Sequence, residues 1–222
     1  MQTRWIAIIA AFFFVLSGSI DVRAQDAPAK KSPSLKQAAK SPEFKAAVKK
    51  VSELTGATPE KLENQEGPTG GMVWKVPHAK ANELLTGQPR KDLLAQGAFL
   101  FRYENLKGMT IGGQALPDQI GLLPTTDKYA VLKALETEGA NSNVYNKDLI
   151  KWLKDLEKTQ PFELTEAGED FLAGNFTTPV KDAKALAKKI YEFDPDIVDG
   201  SGSTMEKLVE SVAAGKLYLW WD

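Results

Sequence analysis

Two hydrophobic periodicities alternate along residues 41–222, and this alternation restricts the possible folds more than any other feature. Apolar residues recur at helical spacing in segments such as 44–54 and 149–156, whereas 72–76 and 98–103 have the character of strands. The elements follow no strict βαβ rhythm, and no glycine-rich fingerprint follows a strand. The pattern therefore predicts a single α+β domain with a mixed β-sheet and helices packed on its faces.

Polar residues mark where several of these helices begin. Ser41 is the predicted N-cap of the first helix, and Asn146 and Asp182 are the predicted N-caps of two later ones. Ser203 with Glu206 three residues later forms a capping-box pattern, which predicts the start of the last helix.

The chain closes with the apolar segment 216–222, which predicts a final strand. Apolar side chains fall on both of its faces, so we expect an interior strand that is covered on two sides. Trp220 and Trp221 point to opposite faces of such a strand, so either both lie in the core or one lines a pocket. The carboxylates of Asp222 should be solvated or matched by a cation, with Arg102 as one candidate.

The first residues have the character of an export signal. Arg4 precedes an uncharged apolar run over residues 5–16, and residues 22–24 (VRA) offer a signal-peptidase site. We therefore expect residues 1–24 to be a signal peptide that is cleaved before Gln25. The apolar run is shorter than the roughly 20 residues needed to cross a bilayer, so a membrane anchor is disfavoured. The mature chain should have no membrane span and should be periplasmic or secreted.

Residues 25–40 separate this leader from the predicted domain. They are rich in Pro, Ser, Ala and Lys, and Leu35 is their only large apolar residue. Such a segment buries too little surface to offset its ordering entropy, so we predict a flexible linker. Its lysines either serve solubility or attract the segment to an anionic envelope surface.

The charge of the domain argues against polyanionic partners. Of the 28 basic and 29 acidic residues, residues 1–40 hold six and two, which leaves 22 and 27, a net charge of −5, for residues 41–222. A body this acidic lacks the cationic field that concentrates nucleic acid, so we exclude nucleic-acid binding.

Two residue counts exclude further classes of site. The chain has no cysteine, which excludes disulfides, thiolate nucleophiles, cysteine-based metal centres and a lipid-modified cysteine. His78 is the single histidine, so histidine-rich zinc sites are excluded. The sequence also lacks the Gly-x-Ser-x-Gly pattern of a nucleophile elbow, and we interpret His78 as structural or exposed.

The densest group of candidate functional residues is acidic: Glu192, Asp194, Asp196 and Asp199. Asp194, Asp196 and Asp199 are the candidate metal ligands, since Ca²⁺ and Mg²⁺ prefer oxygen ligands, although the spacing does not fit an EF-hand loop. All four are candidate catalytic groups, because crowded carboxylates push one another's pKa values apart. The alternative is that they serve a turn and cap local backbone. No cofactor is identified beyond this candidate divalent cation.

Four stretches carry a resemblance to a known family: NKDLIKWL (146–153), QPFELT (160–165), YEFDPDIVD (191–199) and LYLWWD (217–222). With them, residues from about 110 to 222 resemble the family called domain of unknown function 4253. Asp194 stands where the family usually has a cysteine, and GSGS (200–203) replaces its usual Gln-Gly. The resemblance implies no activity.

The sequence therefore leaves two main functions open, with an inhibitor or immunity-type partner of another protein as a third class. The first is an exported binding or interaction module of the cell envelope, whose partner is an unknown ligand or an envelope protein. The second is an exported hydrolase or metal-dependent enzyme that uses the acidic cluster 192–199.

Overall fold

A seven-stranded sheet organises residues 33–222, the part of the chain that the computed structural model describes. In spatial order its strands are β1 (Glu60–Asn64), β2 (Gly67–Val76), β6 (Asp118–Leu123), β3 (Phe99–Glu104), β7 (Phe162–Ala167), β8 (Phe171–Phe176) and β9 (Lys216–Trp220). Strands β4 (Thr110–Ile111) and β5 (Gln114–Ala115) form a separate small hairpin between β3 and β6.

The sheet consists of two antiparallel parts joined by one parallel pair. Neighbouring strands are antiparallel within β1-β2-β6-β3 and within β7-β8-β9. The two parts meet where β3 and β7 run parallel, with Arg102 opposite Glu166. The predicted α+β fold with a mixed sheet is therefore confirmed.

Helices pack on both faces of this sheet. On one face lie α2 (Pro42–Thr55), α3 (His78–Thr86) and α4 (Gln88–Ala95); on the other lie α5 (Lys128–Leu135), α6 (Asn146–Glu157), α7 (Ala183–Phe193), α8 (Asp196–Asp199) and α9 (Met205–Ala213). Two buried clusters result, one around Trp74 and Leu100 and the other around Phe101 and Trp221. Leu100 and Phe101 are consecutive in β3, so strand alternation sends them to opposite clusters.

The two clusters differ in how much of the sheet they cover. The α5–α9 cluster includes residues of β7, β8 and β9, whereas the α2–α4 cluster is built on β2, β3 and β6. Within residues 33–222, the α2–α4 face of β7-β8-β9 is therefore largely uncovered; α4 reaches it through Arg90, which donates to Glu163 and to the Leu164 carbonyl oxygen. This uncovered part of the sheet contains the candidate site described below.

The position of the last strand corrects our prediction, because β9 is an edge strand. Leu217 and Leu219 are buried against the helices, whereas Lys216 and Tyr218 are exposed on the uncovered face. Large side chains on both faces suggested burial on both sides, but Tyr218 and Trp220 point to the uncovered face. Trp221 is buried in the core and Trp220 is half-buried. This agrees with the alternative in which only one of the two tryptophans lies in the core.

The predicted linker also needs correction over its last residues. Helix α1 (Leu35–Ala38) occupies part of it, with Ser34 and Gln37 forming a capping box. The Leu35 backbone lies so close to β2 that a Cβ on Gly70 would approach it to 3.0 Å. A capping pattern and one apolar residue are therefore enough to order this turn. Residues 25–32 of the linker and the expected signal peptide lie outside the described residues.

Helix starts follow the predictions at two positions and differ at two others. The Ser41 and Asp182 side chains accept from the N–H groups of Phe44 and Ala185, as expected for N-caps. The last helix is capped by Thr204, not by Ser203. Asn146 is the first residue of α6 and not its cap. Its side chain instead donates to the carbonyl oxygens of residues 132 and 137, which ties α6 to α5.

Candidate functional site

Asp194 is the most deeply buried residue of the predicted acidic cluster, with no exposed surface. Its Oδ2 accepts a hydrogen bond of 2.9 Å from the Trp220 N–H, while its Oδ1 has no partner within residues 33–222. Burial raises the pKa of Asp194 to about 6, against the opposing effect of the Trp220 N–H. Asp194 therefore supports the β9 backbone and does not open into a cleft.

The other three carboxylates of the cluster face different partners. Asp196 accepts a hydrogen bond of 2.7 Å from the Ser142 hydroxyl, and Asp199 accepts one of 3.0 Å from the Tyr191 hydroxyl. Glu192 lies 3.7 Å from Lys188 on the exposed surface of α7. The four side chains are close in sequence but do not meet at one point.

This arrangement leaves the predicted metal site without a coordination sphere. Among residues 33–222, no group of three or more His, Asp or Glu side chains is placed to hold a metal ion. Each of Asp194, Asp196 and Asp199 has a protein hydrogen-bond donor instead. The placement of these side chains thus agrees with turn and cap chemistry.

A buried charged network lies elsewhere, at the junction of the two parts of the sheet. Arg102 is 4% exposed and forms an ion pair with Asp118, which is fully buried. Its Nε lies 3.0 Å from Glu166 Oε1, but the direction of this contact is poor, and Nε has no hydrogen-bond acceptor within residues 33–222. The second Asp118 oxygen accepts from the Leu106 N–H at 3.0 Å, which fixes the chain after β3.

His78 and Asn82 complete this network from helix α3. The His78 Nδ1 lies 2.8 Å from Asp118, and its Nε2 lies 3.1 Å from the Asn82 amide nitrogen. Burial lowers the pKa of His78, and the Arg102 charge lowers it further. These contacts assign a neutral imidazole that donates through Nδ1 to Asp118 and accepts through Nε2. Both ring nitrogens are engaged, so His78 has a structural role, as the sequence suggested.

Two adjoining cavities lie on the uncovered part of the sheet beside this network. The first, which we call the polar cavity, has a volume of about 280 Å³ and lies next to α3. Its lining includes Asn82, Thr86, Arg102, Asn175 and Lys216.

The second, which we call the aromatic cavity, has a volume of about 570 Å³ and lies where β3, β7 and β9 end. Its lining includes Glu104, Glu166, Phe171, Tyr218 and Trp220. The two cavities share Glu166, Ala173 and Tyr218, so they form one groove.

Irregular strand pairing aims the charged side chains into this groove. The register shifts between Arg102 and Glu104 in β3, and between residues 164 and 166 in β7. A bulge of this kind redirects side chains and is common next to binding sites. In β7 it lets Thr165 and Glu166, which are consecutive, line the same cavity.

A comparison with protein families identifies the second half of the chain. Residues 119–222 match the family Domain of unknown function (DUF4253). This confirms the resemblance drawn from the four motifs, with a start at residue 119 where we expected about 110, and it covers just under half of the chain. No curated protein and no solved structure gives a significant match.

The DUF4253 segment supplies only one side of the groove. Glu166, Phe171, Tyr218 and Trp220 belong to it, whereas Arg102 and Glu104, like α3, lie before it. The segment therefore depends on the preceding residues for both the buried arginine and one carboxylate of the aromatic cavity.

Sequence reasoning missed most of these groove residues. The sequence singles out Arg102 only as a candidate partner of Asp222, but Arg102 pairs with Asp118, and a main-chain oxygen of Asp222 accepts from Asn141 at 3.0 Å. The available signal was alternation in β3, which puts Arg102 on the same face as the buried Leu100. A charged residue that follows apolar residues on one face of a strand indicates that the elements packed on that face end there.

Proposed function

We propose that the protein is an exported binding module of the cell envelope, periplasmic or secreted, that holds a small polar ligand in the groove on the uncovered part of the sheet. Export is supported by the leader over residues 1–24, and a binding role by the composition and volume of the groove. Ligand sites are typically concave, largely apolar, and furnished with a few fixed polar groups.

One observation carries the proposal. Arg102 is almost fully buried, is held in place by Asp118 and Asn82, and still lines the polar cavity. Its position is therefore fixed before any ligand arrives. A few fixed polar groups of this kind at the wall of a cavity are what orients a bound ligand.

The competing enzyme function receives no comparable support. An exported hydrolase or metal-dependent enzyme at residues 192–199 would need carboxylates that face one another or share an ion. Asp194, Asp196 and Asp199 each face a different donor. We therefore propose the binding module alone.

Binding is tested with a panel of amino acids, alkylammonium compounds, polyamines and monosaccharides in thermal-shift assays. A ligand that binds only the folded state stabilises it by about 2.7 kcal/mol at a hundred times its Kd. We expect at least one compound to raise the Tm of the wild type but not of Tyr218→Ala. The matched control is Tyr145→Ala, since Tyr145 is 49% exposed and Tyr218 40%. An equal response of both variants, or no response to the panel, contradicts the proposal.

Export is tested separately by fractionating expressing cells and sequencing the N-terminus of the purified chain. We expect a chain that begins at Gln25 in the periplasm or the medium. An intact Met1 on a cytoplasmic product would refute the location.

A further inference from the structure

The aromatic cavity differs from the polar cavity in the kind of ligand group that it suits. Its lining combines two carboxylates, Glu104 and Glu166, with the rings of Phe171, Tyr218 and Trp220. No lysine, arginine or histidine of the described residues lines it. Anionic groups together with electron-rich rings form a surface that attracts cations.

Glu104 carries the less compensated of the two negative charges. Its carboxylate accepts a hydrogen bond from the neutral amide of Gln119, and it forms no ion pair with any residue in 33–222. It is half-buried at the end of β3, so water screens it incompletely.

Glu166 is compensated only in part. It shares the single charge of Arg102 with Asp118, since both carboxylates lie next to this guanidinium. Of the groups that line the aromatic cavity, Glu104 and Glu166 are therefore both negative, and only Glu166 is near a positive charge.

The negative charges around the cavity also act on two tyrosine hydroxyls nearby. Burial raises the pKa of Tyr218, and the charges of Asp170, Glu166 and Asp194 raise it further. The pKa of Tyr103 is raised in the same way by burial and then by Glu169, Glu104 and Asp170. A phenol resists ionisation where the surrounding potential is negative.

The rings are placed by the pairing of β8 with β9. Phe171 lies opposite Trp220 and Ala173 lies opposite Tyr218, all on the uncovered face. Phe171 and Trp220 both line the aromatic cavity, and the small Ala173 leaves room in front of Tyr218. A ligand group can therefore lie between the ring walls and the carboxylates.

We propose that the aromatic cavity binds an organic ammonium group, and this inference rests on the groove being the ligand site of a binding module. A hard metal ion would need a set of oxygen ligands that residues 33–222 do not assemble there. An anion would be repelled by Glu104 and Glu166, which line this cavity with no cationic side chain among the described lining residues. An alkylammonium is weakly hydrated, so it can give up water for contact with aromatic faces and one or two carboxylates.

The test measures the Kd of choline by isothermal titration, with its neutral carbon isostere 3,3-dimethylbutan-1-ol as the control ligand. Choline should bind, and the isostere, which has the same shape without the charge, should bind at least roughly tenfold more weakly. Glu104→Gln should weaken choline about tenfold by removing the uncompensated charge, corresponding to about 1.4 kcal/mol. Tyr218→Leu should also weaken it by removing an exposed ring face.

Two matched variants control for nonspecific effects. Glu192→Gln removes an exposed carboxylate and Tyr145→Leu an exposed ring, both outside the cavity, and neither should change the Kd. If Glu104→Gln fails to fold, Tyr218→Leu still decides the matter, because Tyr218 lies on the surface of an edge strand.

Failure of this inference is separable from failure of the proposed function. Equal affinity for choline and its isostere, an unchanged Kd in both cavity variants, or no choline binding each overturns the ammonium site. If another compound of the panel then stabilises the wild type through Tyr218, the groove remains a binding site for a different ligand. If no compound acts through Tyr218, both proposals fail together.

Discussion

The buried carboxyl of Asp194 predicts an unusual dependence of stability on pH. Its pKa is raised from an ordinary value of 3.8 to about 6 by burial beneath β9. A carboxyl whose pKa is higher in the folded than in the unfolded state favours folding when it is protonated. Its contribution to stability is therefore full below about pH 4 and is lost as the pH rises through 6. Between pH 4.5 and 7.5 the two pKa values correspond to a loss of about 2 kcal/mol in the free energy of unfolding.

The substitution Asp194→Asn isolates this contribution. The asparagine oxygen can still accept from the Trp220 N–H, while the ionisable proton is removed. We expect the free energy of unfolding of the wild type, measured by urea titration, to fall by about 2 kcal/mol relative to that of the variant between pH 4.5 and 7.5. Other carboxyls titrate in both proteins, so they cancel in the difference. Asp199→Asn, an exposed control, should run parallel to the wild type.

The result that would refute this reasoning is a constant difference between the wild type and Asp194→Asn across the whole pH range. It would mean that the carboxyl is hydrated in the folded state and that its burial under β9 is incorrect. An offset in stability that is added to the expected change between pH 4.5 and 7.5 would not refute it, because the amide nitrogen replaces an oxygen that lacks a partner.

Three further predictions concern helix caps, packing and metal ions. Thr204→Ala should lower the free energy of unfolding by about 1 kcal/mol in urea titration, whereas Ser203→Ala should leave it unchanged, because only Thr204 accepts from the Lys207 N–H. Gly139→Ala should cost about 1–3 kcal/mol in the same assay, because its Cβ would lie 2.3 Å from the Trp221 ring. Millimolar Ca²⁺ or Mg²⁺ should leave the Tm unchanged, because residues 33–222 assemble no ligand set; a rise that Asp196→Asn and Asp199→Asn abolish would contradict the separated placement of these side chains.

Local sequence signals predicted much of the fold because they act over a few residues. The Ser41 cap of α2 and the Asp182 cap of α7 need only a side chain and a backbone N–H three residues away. The last helix shows the limit of such signals, since Ser203 and Thr204 are both suitable caps and only the path of the preceding turn selects Thr204.

Strand order could not be predicted from the same signals, because it depends on contacts between distant segments. Nothing local in 216–222 distinguishes an edge strand from an interior one when Tyr218 and Trp220 occupy the open face. The metal hypothesis failed to gain support for a related reason. Four carboxylates within eight residues are close along the chain, but the turn between α7 and α8 directs them to different partners.

The candidate site was hidden because it exists only at the seam between the two antiparallel parts of the sheet. Arg102 and Glu166 are far apart in the sequence, and the parallel pairing of β3 with β7 sets them side by side. Helices α2–α4 cover the first part of that face and end at the seam, so the same pairing leaves β7-β8-β9 open. Arg102 lies where these helices end, so it is buried and still lines the polar cavity. The groove therefore results from the way the DUF4253 segment joins the residues before it. Neither half of the chain alone contains all the residues that line it.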